Sequence, residues 1–298
     1  MMLNGGRLNS ELSGINRFLW SILVFVFIFL IWNKYPDNKE QNTRYSGLKI
    51  LGIIGLTTMA IIFRSGNPDN VQWLQIGWWG ILGLIGWGYF TVAVSFLMVG
   101  SRLWGIIGIW LFFMVLNILS QLGLLEFLNF LKPIFGVIID GNVPFLVITG
   151  LIVGLLLKKL KDNPVKLLLL LVLFSVLSFA GGFILHHWFI ISKIYGTPSW
   201  ASICNGISIL VFAILFYLVD ILKKDHWVRV LLPAGQNSLT TYLVPTVIYY
   251  LFWWTSLPIL FYKQGSSQIL AVSGSLCWAF AMVGLAVLLS KIHIRLKL

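Results

Sequence analysis

Charge is what this sequence has least of. Only 10% of its 298 residues are charged, with nine Asp and Glu against 21 Lys and Arg. A soluble globular chain carries about 25% charged residues, and here 59% of residues are hydrophobic at a mean hydropathy of +0.93. That composition excludes an ordinary soluble domain. Cysteine is nearly absent: Cys204 and Cys277 both lie inside apolar runs and read as buried free thiols, not as a disulfide or a zinc site. No paired carboxylates, no serine-histidine-acid spacing and no metal-ligand set stand out, so no metal is expected. The net charge of +12 comes from dispersed cations at the ends of apolar runs. It signals membrane orientation and excludes a nucleic-acid partner.

Long apolar runs are what the chain does have. Spanning the hydrocarbon takes about 20 apolar residues, and only helices or closed barrels satisfy the backbone there. The runs lack period-two alternation, which selects helices. The expected fold is all-α, a polytopic transmembrane helical bundle in a lipid bilayer, forming one domain over residues 1–298. Nine spans (eight to ten) are expected, at 18–32, 48–63, 76–99, 103–119, 143–157, 165–185, 202–222, 239–257 and 269–289. Residues 121–140 contain Glu126, Lys132, Pro133 and Asp140 and read as an interfacial or re-entrant segment. Fourteen tryptophans suit a protein with two headgroup interfaces.

Alternate loops divide the cations unequally. Arg7, Arg17, Arg64, Lys132, Lys193 and Lys263 fall on one side and the other fifteen on the opposite side. The positive-inside rule then puts the C-terminus in the cytoplasm and the N-terminus outside. An outside N-terminus fits a chain preceded by further spans. Gly83-x-x-Gly86-x-Gly88 lies within an apolar span with no preceding strand, which argues against a nucleotide loop. No internal repeat suggests an inverted-repeat transporter.

The chemistry concentrates between Gly181 and Tyr242, where a polar loop flanks each end of one span. His186 and His187 close the sixth run, followed by Trp188, Lys193 and Tyr195. A histidine at a membrane boundary is explained first by snorkelling beside an aromatic belt; since imidazole titrates near neutral pH, these two are also candidates for an outward-facing base or acceptor site. Pro198 biases Thr197 towards an extended conformation. At the other end, Asp220 is an ionisable group at the edge of an apolar run; a salt bridge to Lys223 or Lys224 would account for it structurally. Pro233-Ala-Gly-Gln-Asn-Ser238 precedes the eighth run. Asn237 or Ser238 can cap that helix, whose free amides with Lys223, Lys224 and Arg229 would suit an anionic ligand. Plain capping beside anionic headgroups fits the same residues.

HHWFIISKIYGTPSW, a span ending YLVD, and then PAGQNSLTTYLVP resemble the C-terminal half of the DUF5009 membrane proteins, relatives of the heparan-alpha-glucosaminide N-acetyltransferase family. The resemblance implies acetyl transfer across a membrane, from cytosolic acetyl-CoA as donor to an extracytoplasmic sugar or glycan acceptor. It implies a bacterial inner membrane. Asn237, Gln236, Lys223, Lys224 and Arg229 would then meet the donor, His187 and His186 would carry catalysis, and Lys193 and Asp220 would bind substrate. The sequence departs from the family in one respect. The outer-loop histidine near a run of the type WNG…DLVFPFF has no counterpart. The chain is therefore expected either to need a partner chain carrying those spans, or to use His187 differently. A homo-oligomer also remains open. The alternatives are a transporter or flippase for a glycan or lipid-linked precursor, which should show intramembrane charges at broken helices, and a non-catalytic subunit.

Overall fold

The structure is a computed structural model that describes residues 2–36, 42–75, 80–257, 267–292, 294 and 296. Ten helices of eight or more residues carry the described chain. They are α1 (Arg17–Trp32), α2 (Asn42–Ile62), α3 (Gly80–Val99), α4 (Leu103–Gln121), α5 (Lys132–Ile139), α6 (Asn142–Lys159), α7 (Pro164–His186), α8 (Pro198–Phe216), α9 (Ser238–Thr255) and α10 (Gln268–Lys291). The strands among the described residues are a small antiparallel hairpin, β1 (Ser65–Asn67) and β2 (Asn70–Gln72), with Gly66 paired to Val71. Among the described residues six helices are long and apolar enough to cross a membrane: α2, α4, α6, α7, α8 with its C-terminal turn, and α10. Shorter apolar helices are α1 and the Gly83–Val99 part of α3. This is an all-α helical membrane protein.

The apolar runs became helices for the reason that defined them: a backbone in hydrocarbon must bond to itself. The boundaries differ where polar chemistry intervenes. α8 starts at Pro198, not at 202, because Thr197 is extended (φ −71°, ψ 151°) and proline suits a first helical turn whose N–H needs no partner. Residues 121–140 form a 3-10 turn (Glu126–Leu128) and the two-turn helix α5, too short to span. Residues 76–79, at the start of the expected third span, lie outside the described residues, as does Lys263. Cys204 is half-buried and Cys277 is exposed on α10, where the sequence suggested two buried thiols. An apolar helix surface in lipid gains nothing by hiding a thiol.

By its contacts the chain divides into two compact units, Met1–Gln75 with His226–Leu298, and Ile76–Asp225. In the first, Trp20 of α1 is fully buried; its indole N–H donates to Met59 O of α2 at 3.0 Å, and its ring meets Phe63 at 5.4 Å. In the second, Ile106, Phe113, Phe145, Ile148 and Ile152 form a core between α4 and α6. The Trp110 ring stacks on Phe145 at 4.9 Å, and its N–H donates to Thr149 Oγ1 at 2.8 Å. α7 and α8 pack closely. A Cβ on Gly182 would lie 2.6 Å from Ile203 Cγ1, and one on Gly206 would lie 2.8 Å from the Phe179 ring. Small residues allow such approach where packing, not hydrophobic expulsion, drives helix association.

Candidate functional site

The loop of residues 187–197 joins α7 to α8 and is fastened by polar side chains from other helices. Asn117 of α4 and Asn142 of α6 both donate to Gly196 O, at 3.0 and 2.8 Å. Asn117 also donates to Asp140 O at 2.8 Å. Gly196 (φ +61°) and Gly141 (φ +67°) are both left-handed. A Cβ at Gly141 would lie 2.5 Å from Phe113 O, so residues 140–142 press directly onto the α4 backbone and only glycine fits. Gln121 Nε2 donates to Tyr195 O at 2.9 Å.

Hydroxyls set the shape within the loop. Ser192 N–H donates to Thr197 Oγ1 at 3.1 Å, Thr197 N–H donates to Ser192 O at 3.2 Å, and Ser199 Oγ donates to Ile190 O at 2.9 Å. Asn117, Thr197 and Ser199 are each at most 2% exposed. Buried amides and hydroxyls are costly unless bonded, and here most are bonded to the loop itself. Asn117 Oδ1 is buried without a partner.

On this fastened loop, or at the α7 end that leads into it, the expected acceptor-side groups are exposed. His186, His187 and Lys193 all face outward, with Trp188, Ile194 and Tyr195 beside them. His186 Nδ1 lies 3.4 Å from Phe189 O, and His187 meets the edge of Trp188 at 5.2 Å. Among the described residues no carboxylate lies within ion-pair distance of these three groups. Neither imidazole is oriented by an acid, so what holds His186 is the Phe189 carbonyl and what holds His187 is the Trp188 edge. Asp140 is engaged elsewhere, accepting from Ser120 Oγ at 2.8 Å and facing Lys132 Nζ at 3.5 Å.

The far end of α8 is built differently. The helix widens into a π-helical turn, Tyr217–Ile221, that contains Asp220. Leu222 N–H donates to Tyr217 O and Lys224 N–H to Leu218 O, both at 2.9 Å. Lys223 is left-handed at φ +56°, uncommon for a residue with a Cβ. This reversal explains why the expected Asp220 salt bridge to Lys223 or Lys224 does not form: the i+3 and i+4 geometry needs a continuing helix. Asp220, Lys223 and Lys224 are all exposed.

The remaining expected donor residues belong to the other unit. Arg229 lies in a 3-10 helix, His226–Val230, and is exposed; Gln236 ends the short helix Leu232–Gln236 and is exposed. Asn237 is 8% exposed and stands at the N-cap position of α9, but its side chain makes no capping bond. Its Nδ2 donates back to Pro233 O at 2.9 Å, so the preceding turn captured the side chain. Ser238 is the first residue of α9 and so is not its cap. The structure therefore brings His186, His187 and Lys193 together on one loop, and Asp220, Lys223 and Lys224 together at another.

Sequence reasoning passed over Asn117 and Asn142. Each is a lone amide beside or within an apolar run, and the cost of burying an unbonded amide was the available signal. A further polar spot lies between α7 and α8. There Ser175 Oγ donates to Gly206 O at 2.8 Å, while Ser178 Oγ, Ser202 Oγ and Asn205 Nδ2 are buried without partners among the described residues. No group of three or more His, Cys, Asp or Glu that could hold a metal ion occurs among the described residues. Comparison with protein-family models, with curated proteins and with solved structures finds no match to this chain.

Proposed function

We propose that the chain is a transmembrane acyltransferase-like protein. It takes acetyl from cytosolic acetyl-CoA and passes it to an amino sugar or glycan on the other side of a bacterial inner membrane. The observation that carries this reading is the layout of α8. Two exposed imidazoles and a lysine precede it, a carboxylate lies in its final turn, and two lysines follow that turn. From Pro198 to Ile221 the helix has 24 residues, about 36 Å at 1.5 Å per residue, enough to cross a bilayer. One helix thus separates acceptor-type from anion-binding chemistry by a membrane's thickness. In this reading the spans number nine and the C-terminus is cytoplasmic. His187 and His186 serve the acceptor hydroxyl or amine as base, Lys193 binds the acceptor, and Lys223 and Lys224 attract the donor's phosphates. Arg229, Gln236 and Asn237, which the resemblance also assigns to the donor, belong to the other unit.

A second reading, transport of a glycan or lipid-linked precursor, has one observation in its favour: the unpartnered Ser178, Ser202 and Asn205 between α7 and α8. They are neutral, whereas transporters place ionisable groups at mid-membrane, and so the acyltransferase reading is preferred.

Binding of acetyl-CoA to detergent-purified protein, read by thermal shift, tests the donor half. A ligand of the native state raises the melting temperature by mass action. Acetyl-CoA is expected to stabilise the protein, and Lys223→Ala with Lys224→Ala is expected to abolish that shift. An unchanged melting temperature at saturating acetyl-CoA would rule against a donor site on this chain.

A further inference from the structure

Within the unit formed by Met1–Gln75 and His226–Leu298, a cleft of about 480 Å³ opens between α1, α2, α9 and α10. Its wall is almost wholly aliphatic and aromatic, with Phe29 and Leu30 from α1, Leu48 from α2, Val247 from α9, and Leu285 and Leu289 from α10. Along α1 it runs from Val26 to Asn33, two helical turns and about 10 Å. C-terminal residues help to close it: Ile294 lines it, Asn33 pairs with Leu296, and Leu296 N–H donates to the buried Thr240 Oγ1 at 2.9 Å.

The wall decides what can enter. Its polar residues are Asn33 and Tyr35, and the Tyr35 hydroxyl is already spent, donating to Leu30 O at 2.8 Å. A sugar, or the amide-bearing arm of a coenzyme A thioester, would surrender its hydrogen bonds to water and find few in return. A plain hydrocarbon chain surrenders none. Yet a chain leaving bulk lipid gains no hydrophobic free energy either, since lipid tails are as apolar as the wall. Any preference for this cleft must come from its shape and from what grips the headgroup.

The cleft lies at helix ends rich in cations. Trp32 ends α1 and Lys34 follows; Arg44 and Lys49 lie in the first turns of α2; Lys291 ends α10. Lys49 Nζ sits 5.8 Å from the centre of the Tyr35 ring, which itself stacks on Tyr45 at 4.8 Å. Burial raises the Tyr35 phenol above its usual pKa, so it adds no negative charge. In sequence, residues 34–49 hold four cations against Asp37 and Glu40, and residues 291–298 add Lys291, Arg295 and Lys297 without an acid. Such an excess attracts anionic headgroups.

We propose that this cleft is a lipid site, holding one acyl chain of an anionic glycerophospholipid whose phosphate rests among Lys34, Arg44, Lys49 and Lys291. The site stands independently of acetyl transfer. It commits the protein to a preference for anionic over zwitterionic lipid at this one place on its surface.

Photocrosslinking tests it. The full chain is placed in phosphatidylcholine nanodiscs containing a trace of phosphatidylglycerol with a diazirine in one acyl chain, and cross-linked peptides are mapped. Cross-links are expected to concentrate at residues 244–248 and 285–289, and to be competed by unlabelled phosphatidylglycerol but not by phosphatidylcholine. Val247→Trp, which fills the cleft, should cut them by about tenfold; Leu285→Trp serves should the first variant lose its thermal transition. Arg44→Glu with Lys49→Glu should keep the cross-links but erase the preference for phosphatidylglycerol. Cross-links spread evenly to exposed residues such as Leu97 and Ile269, equally competed by both lipids and indifferent to Val247→Trp, would overturn the proposal and leave only boundary lipid.

Discussion

Before α8, the loop carrying His187 and Lys193 is fastened by Asn117, Gln121 and Asn142, three side chains distant in sequence, which bond its carbonyls. After α8, Leu222 and Lys224 are held by backbone bonds to Tyr217 and Leu218, and the chain reverses through a left-handed lysine. The first loop is fixed by tertiary structure and the second by its own backbone. In the proposed reading the difference would suit two tasks: a sugar acceptor needs a shaped surface, whereas a polyanionic donor is drawn by charge. It also says which substitutions should be felt.

Asn117→Ala should have the largest effect. It removes one of two donors at each of the Asp140 and Gly196 carbonyls, which keep their bonds from Asn142, and so costs about 1–3 kcal/mol, two hydrogen bonds at about 0.5–1.5 kcal/mol each. Denaturant titration in detergent measures this, and hydrogen exchange should show residues 187–197 opening first. Gly196→Ala should follow, costing about 1–2 kcal/mol, because a Cβ is strained at φ +61°. At the other end of α8 the sign reverses. Lys223→Gly relieves a left-handed residue and should stabilise the fold by up to about 1 kcal/mol, less the entropy glycine loses on folding. Comparable losses from Gly196→Ala and Lys223→Gly would erase the distinction between the two ends. Asp220→Asn should change stability least, by no more than about 0.5 kcal/mol, since Asp220 is exposed and unpaired among the described residues. A larger loss would reveal a partner for its carboxylate.

Much of this was legible in the sequence. Apolar runs located the helices, because no other open backbone survives in hydrocarbon. Pro198 located the extended Thr197, and the charged residues of 121–140 foretold a segment too short to span. The fastening of the loop was not legible. The Gly196 carbonyl lies 79 residues from Asn117 and 54 from Asn142, and no local pattern records such a pairing. Asn237 holds the expected N-cap position, but the carbonyl of Pro233, four residues back, takes its amide, which no pattern announced. Nor did anything mark Lys223 as left-handed, which leaves Asp220 without the salt bridge that would have explained it structurally. Division into two compact units was invisible too, since the first is assembled from both ends of the chain.

The central claim is that α8 separates donor from acceptor chemistry. The most direct test is acetyl transfer in sealed proteoliposomes, with labelled acetyl-CoA on one side of the membrane and an amino sugar on the other. Labelled N-acetyl product should form on the side opposite the donor. It should be lost in His187→Ala, and it should be regained at higher acetyl-CoA in Lys223→Ala with Lys224→Ala. Product no greater than in protein-free vesicles, or product unaffected by His187→Ala, would contradict it.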